Sequence, residues 1–191
     1  MVVVLLAGVI TAVFFMFRSS SLFGSSDGSE ERAARNTAES SGQEDDEAES
    51  LEALWKRREY SRVNELCEQR LSEEPLTQKY LAYNGFAYFY RGVSQYTLED
   101  QLSLFDEAVI NLRKMLVFDQ PLLEEKVHYI LGKAYYHKGR FYTDLAIRHL
   151  QRSIELGYTA GDSHRYLGLA YGRLDSYEKS IEHFLQAAEE S

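Results

Sequence analysis

His128-Tyr-Ile-Leu-Gly-Lys-Ala-Tyr135 recurs 36 residues further on as His164-Arg-Tyr-Leu-Gly-Leu-Ala-Tyr171. A weaker copy stands upstream as Leu81-Ala-Tyr-Asn-Gly-Phe-Ala-Tyr88. Each copy carries a glycine, an alanine two residues later and a tyrosine one further. A period in the mid-thirties marks a protein built from stacked units, none of which buries its apolar face alone.

Outward from these copies, the apolar spacing is helical. Ala53-Leu-Trp-Lys-Arg-Arg-Glu-Tyr60, with Val63, Leu66, Cys67 and Leu71, places apolar residues three and four apart. Pro75 closes that segment, and Thr77 is positioned to cap a helix reaching about Arg91. After a break at Gly92–Tyr96, Thr97-Leu-Glu-Asp100 forms a capping box with Asp in the usual Glu place. A longer helix follows, through Leu102, Phe105, Ala108, Val109, Leu112, Met115 and Leu116. Asp119-Gln-Pro121 is expected to cap the next helix, which ends near Gly139. Its partner runs from Phe141 to Leu156 and is closed by Gly157. Asp162 is expected to cap Ser163–Leu174, and Tyr177 to about Glu189 is the last helix.

The pattern resembles the tetratricopeptide repeat (TPR) family, a helix-turn-helix unit of 34 residues. The resemblance rests on the small/aromatic pairs Gly85/Tyr88, Gly132/Tyr135 and Gly168/Tyr171 in the first helices. Gly139, Phe141, Ala146, Leu150 and Ser153 fit the second helix of the third unit, with two extra residues before Ala146. Tyr177, Ser180, Phe184 and Ala187 fit the fourth unit, Ala108 and Leu112 the second, and Tyr60, Val63, Cys67 and Pro75 the first. It implies an all-α fold: a right-handed solenoid of about four units over residues 44–191. The second unit carries about eleven extra residues between its helices, to be accommodated as a loop or an extended helix.

The N-terminal quarter is different in kind. Val2 to Phe17 is apolar and uncharged apart from the hydroxyl of Thr11. At 1.5 Å per residue it is slightly short of the roughly 30 Å hydrocarbon core. Bulky Phe14, Phe15, Met16 and Phe17 stand where a cleavage site would need small residues. Residues 1–18 are therefore expected to be an uncleaved single-pass anchor. Arg18 alone argues for a cytoplasmic C-terminal side, whereas signal-anchors commonly export the chain beyond them, and an extracytoplasmic repeat domain is the expectation. Residues 19–43 are rich in Ser, Gly, Glu and Ala and lack the apolar residues that would offset ordering entropy, so they are expected to be a disordered tether.

Charge and composition exclude several functions. The net charge is -9, most of it between Arg18 and Glu49, so binding to nucleic-acid phosphates is not expected. One cysteine permits neither a disulfide framework nor a multi-cysteine zinc site. His128 and His164 share a repeat position, as do His149 and His183, and periodicity accounts for the placement without a metal. No nucleophile–base arrangement and no phosphate-cradling loop is present, so no enzyme, cofactor or metal is assigned.

What remains is recognition. The resemblance implies that first-helix residues line a concave groove: Trp55, Phe89 and Tyr136 in an aromatic row, with Phe86, Lys133, Lys79, Lys126, Tyr129, Arg165, Tyr90, His137 and Arg173 around it. Aromatic and basic side chains of this kind suit a protein or peptide partner, acidic segments included. The expected function is a membrane-tethered adaptor. The alternative is a structural module that self-associates through an uncapped C-terminal edge, where Leu174, Leu185 and Ala188 form an apolar surface.

Overall fold

The computed structural model describes residues 51–158 and 162–190. All of them belong to one compact unit, Asp45–Ser191. The expected anchor (1–18) and tether (19–43) lie outside the described residues. Among the described residues there is no strand, and no helix is long and apolar enough to cross a membrane.

The described chain is a succession of helices: α1 (described over 51–56), α2 (Tyr60–Glu73), α3 (Gln78–Val93), α4 (Leu98–Met115), α5 (Glu124–His137), α6 (Thr143–Glu155), α7 (Ser163–Arg173) and α8 (Tyr177–Glu189). A short 3₁₀ turn, Arg140–Tyr142, precedes α6. They pair as consecutive hairpins, α3 with α4, α5 with α6 and α7 with α8. Leu51 and Leu54 of α1 share a core with Val63 and Cys67 of α2. Each hairpin stacks on the next through α2–α3, α4–α5 and α6–α7. The first helices also touch one another, α3 on α5 and α5 on α7, whereas the second helices do not pack together comparably. The stack therefore curves toward its first helices, which form its inner face.

The repeat signature has a direct packing cause. A Cβ on Gly85, Gly132 or Gly168 would stand 2.5 Å from Leu112, 2.6 Å from Leu150 or 2.9 Å from Phe184, respectively. In each of these three hairpins the glycine lets the large residue of the second helix lie directly on the first helix's backbone. The spacing between these partners is larger in the second hairpin, and the structure shows where the extra residues go. α3 continues eight residues past Gly85 and α4 begins fourteen residues before Leu112, against five and seven around Gly168 and Phe184. Ten of the eleven extra residues thus lengthen the two helices, and Gly92 near their tip admits Phe105 at 2.8 Å from a would-be Cβ.

Several helix ends differ from expectation. Thr97 caps α4 as expected, its Oγ1 accepting from the Asp100 amide at 3.1 Å. Thr77 occupies the cap position of α3, but its hydroxyl donates to Glu74 Oε2 (3.0 Å) and caps nothing. Asp119 does not cap α5, which begins at Glu124 after Leu123 in the left-handed conformation (φ 56°). Phe141, expected to begin the second helix of the third unit, lies instead in the 3₁₀ turn ahead of α6, and its ring is fully exposed. Tyr142 instead lies on Tyr135 (ring centroids 6.0 Å).

A buried polar ladder, invisible to the repeat pattern, ties α2, α3 and α4. Asn64 Nδ2 donates to the Asn84 carbonyl (3.0 Å), and Asn84 Nδ2 donates to Asn111 Oδ1 (3.4 Å). Arg91 closes it by donating to Asn64 Oδ1 (2.8 Å).

Candidate functional site: the inner face of the first helices

The inner face is aromatic because α1, α3, α5 and α7 each turn rings toward it at helical spacing. Trp55 of α1 meets Tyr83 (5.2 Å), Tyr90 (5.9 Å) and Phe86 (6.2 Å) of α3. Tyr60 stacks on Tyr90 at 5.0 Å with ring planes 15° apart. Further along, Tyr136 stands edge-on to Tyr166 (5.3 Å), and Tyr129 lies 4.8 Å from Tyr158.

The cations on this face divide into two kinds. Lys133 is compensated: its Nζ donates to Asp162 Oδ2 (2.7 Å) and Tyr129 Oη (2.9 Å), and lies over the Tyr166 ring (4.7 Å). Tyr129 Oη also donates to Asp162 Oδ1. Burial first, then Asp162, pushes the Tyr129 phenol well above its usual range, so it remains a donor. Arg173 is held too, donating to the Tyr136 carbonyl (2.6 Å) with its guanidinium over that ring (3.8 Å).

Lys126 is the other kind. Its Nζ lies over the rings of Trp55 (5.2 Å) and Phe86 (4.8 Å), and no carboxylate among the described residues comes within ion-pair reach. Burial lowers its pKa, partly countered by Glu125. Lys126 is thus a half-buried ammonium on an aromatic seat, with no ion pair among the described residues.

The sequence-assigned groove residues fall into three groups. Trp55, Tyr90, Lys126, Lys133, Tyr136, His137 and Arg173 are half-buried within the aromatic assembly, and Arg165 is exposed at its end, 3.7 Å from Asp162. Phe86, Phe89 and Tyr129, expected to line the groove, are buried against neighbouring helices and form its floor. Phe89 packs on Phe105 (5.8 Å) and His137 (6.2 Å), inside the hairpin interface. Lys79 is half-buried on α3 and joins none of these ring contacts.

Asp162, Tyr158, Tyr166 and Tyr60 complete the face and were not assigned from sequence. Asp162 stands at the α7 cap position, but its side chain makes no cap hydrogen bond because Lys133 and Tyr129 hold it. Tyr158 follows Gly157, whose positive φ (87°) ends α6 in a Schellman turn, Tyr158 N donating to Ser153 O (3.0 Å). An aromatic just after a closing glycine was the available signal.

No group of three or more His, Cys, Asp or Glu side chains among the described residues is placed to hold a metal. The equivalent histidines instead face each other, His128 with His149 and His164 with His183. Cys67 is buried, and burial pushes its thiol up to about 12, which leaves it without nucleophilic character at neutral pH.

No protein-family model and no curated protein matches the chain. Among solved structures it is similar to MamA. A crystal structure of MamA aligns with a TM-score of 0.58 at 22% identity, over 74% of this chain and 74% of that one. MamA MSR-1 gives 0.57 at 24% identity over 72% and 71%, and MamA AMB-1 gives 0.55 at 25% over 73% and 68%. The chain thus shares its all-helical fold with those structures.

Proposed function

We propose that the protein is a scaffold that takes a protein or peptide partner on the inner face of its first helices, with a partner carboxylate on Lys126. One observation carries this: Lys126 is seated on Trp55 and Phe86 with no carboxylate within ion-pair reach among the described residues, while Lys133 is neutralised by Asp162. The surrounding Trp55, Tyr60, Tyr90 and Tyr136 offer broad ring surface at low conformational cost, which favours recognition.

The test is recovery of crosslinked partners from the cells that make the protein. Lys126→Glu combined with Arg165→Glu is expected to lose the partner while helicity is retained. Arg148→Glu, on the exposed side of α6, is expected to keep it. A partner retained by the double variant would refute the assignment of the inner face. Phe89→Ala is unsuited to this purpose, since Phe89 is core.

The proposal includes an anchor at residues 1–18 and a tether at 19–43, giving a single-pass membrane protein with an extracytoplasmic repeat domain; it rests on the Val2–Phe17 run. Carbonate-resistant membrane association tests the anchor, and protection of the repeat domain from added protease in sealed cells or spheroplasts tests its side.

A second possibility, self-association, is favoured by Ile181, Phe184, Leu185 and Ala188, which form an exposed stripe at three- and four-residue spacing along α8. Concentration-dependent sedimentation that Leu185→Glu abolishes would support it, and a monomer at all concentrations would exclude it.

A further inference from the structure

Two histidine pairs occupy equivalent places in the third and fourth hairpins. His128 Nδ1 faces His149 Nδ1 at 2.9 Å across α5 and α6, and His164 Nδ1 faces His183 Nδ1 at 3.0 Å across α7 and α8. The second-helix ring of each pair stacks on the signature tyrosine: His149 on Tyr135 (5.5 Å, 21°) and His183 on Tyr171 (5.4 Å, 6°). The second hairpin has its own tyrosine, Tyr88, but carries Leu81 and Asn111 in the corresponding places. Asn111 there hydrogen-bonds to Asn84 and to the Glu107 carbonyl, and neither Leu81 nor Asn111 titrates.

We infer that the two histidine pairs are acid-sensitive clasps, which hold the third and fourth hairpins closed and release them in acid before the second hairpin opens. The chemistry follows from the facing nitrogens. When both rings are neutral, one Nδ1–H donates to the lone pair on the other Nδ1. A first added proton leaves that bond intact, because the imidazolium still donates to its neutral partner. The outer nitrogen of each first-helix ring has a carboxylate to receive that charge: Glu124 lies 3.9 Å from His128 Nε2, and Glu190 lies 3.6 Å from His164 Nε2. A second proton puts two N–H groups face to face, removes the acceptor and sets two cations in contact between the helices.

The surroundings set how firmly the second proton is refused. Arg148 on α6 and Arg113 on α4 both oppose charge on His149. His128 meets Glu124 on its own helix, and Arg152 and Glu155 on α6, in partial balance. Around His183, Lys179 opposes charge, while Glu182 and Gln186 favour it. Burial first and the His128 partner second lower His149 to about 4, and burial then His164 lower His183. Both second-helix rings are thus neutral in the folded state over a range where the unfolded chain would protonate them. Stability drawn from the neutral His149 and His183 rings is full above the ordinary imidazole value of 6.5 and declines as pH falls below it; for His149 the loss is complete below about 4.

The experiment is an NMR titration of the histidine ring nitrogens in the full chain from pH 7.5 to 3.5, with amide-exchange protection followed helix by helix. The expected result is that His149 and His183 protonate below the ordinary imidazole value, His149 near pH 4. α5–α6 and α7–α8 should lose protection as this happens, while α3–α4 keeps its protection. His128→Leu with His149→Asn gives the third hairpin the residues that the second carries. It should keep α5–α6 protected at that pH, with α7–α8 still opening. Loss of protection in α3–α4 and α5–α6 at one common pH would overturn the inference. So would a double variant whose third hairpin opens at an unchanged pH. Should the variant fail to fold, the wild-type titration decides alone: two rings of a pair titrating together at the ordinary imidazole value would contradict the clasp.

Discussion

Leu150 of α6 lies directly on the backbone of Gly132 of α5, so closely that a Cβ on the glycine would stand 2.6 Å from its Cγ. Leu150 is fully buried and has nowhere to move. Gly132→Ala must therefore separate α5 from α6, at a cost of about 1–3 kcal/mol typical of overpacking. Gly168→Ala is the informative companion. There the opposing residue is Phe184, 40% exposed and free to turn outward. Urea denaturation should show a clear drop in midpoint for the first variant and a small one for the second.

The first helices of three hairpins end in the same way. Arg58, Gly139 and Asp175 all take positive φ (59°, 109° and 60°) just past α1, α5 and α7. Only one of them is glycine, and a residue with a Cβ in the left-handed region is strained by about 1–2 kcal/mol. Arg58→Gly should raise stability by up to about 1 kcal/mol, less the added freedom of the unfolded chain. A thermal melt checks this; a lowered midpoint would mean that the Arg58 side chain contributes more than its backbone strain.

Much of the architecture was legible because the packing rule is local and repeated. Gly85, Gly132 and Gly168 announce close helix approach, and the residues that lie on them recur at the matching place in the next helix. The extra residues of the second hairpin were countable, but not their form, since lengthened helices and a loop satisfy the same spacing. The aromatic–basic character of the inner face was legible too. Which rings are floor and which are surface was not, because Phe86 and Phe89 are buried by neighbouring helices that a single helix's spacing does not reveal. Asp162 shows the same limit: its cap position was readable, but Lys133, 29 residues away, claims its carboxylate.

The Asn64–Asn84–Asn111 ladder is polar and almost wholly buried, so each member depends on the others. Asn84→Ala removes the amide that donates to Asn111 Oδ1 and the Oδ1 that accepts from Asn64 Nδ2, so Asn111 Oδ1 loses its donor while Asn64 keeps only the Asn84 backbone carbonyl as acceptor. The expected destabilisation is about 1–3 kcal/mol, measured by chemical denaturation. An unchanged midpoint would mean that water replaces the missing side chain.

Cys67 is fully buried, and desolvation first, then Glu68, holds its thiol protonated up to about 12. The folded protein should resist alkylation at pH 8, and the same chain in denaturant should react promptly. The raised folded value also means that stability drawn from this group is full below the ordinary value of 9.0 and declines as pH rises above it. Native alkylation at the denatured rate would place Cys67 on an opening segment.

The central claim is that the inner face receives a partner. The most direct measurement is site-specific photo-crosslinking in the cells that make the protein, with a benzophenone amino acid replacing exposed Arg165 on α7 or, as the control, exposed Arg148 on α6. The account predicts an adduct of defined mass from the Arg165 position only, lost when Lys126→Glu is added to the same chain. Equal adducts from both positions, or an adduct indifferent to Lys126→Glu, would contradict it.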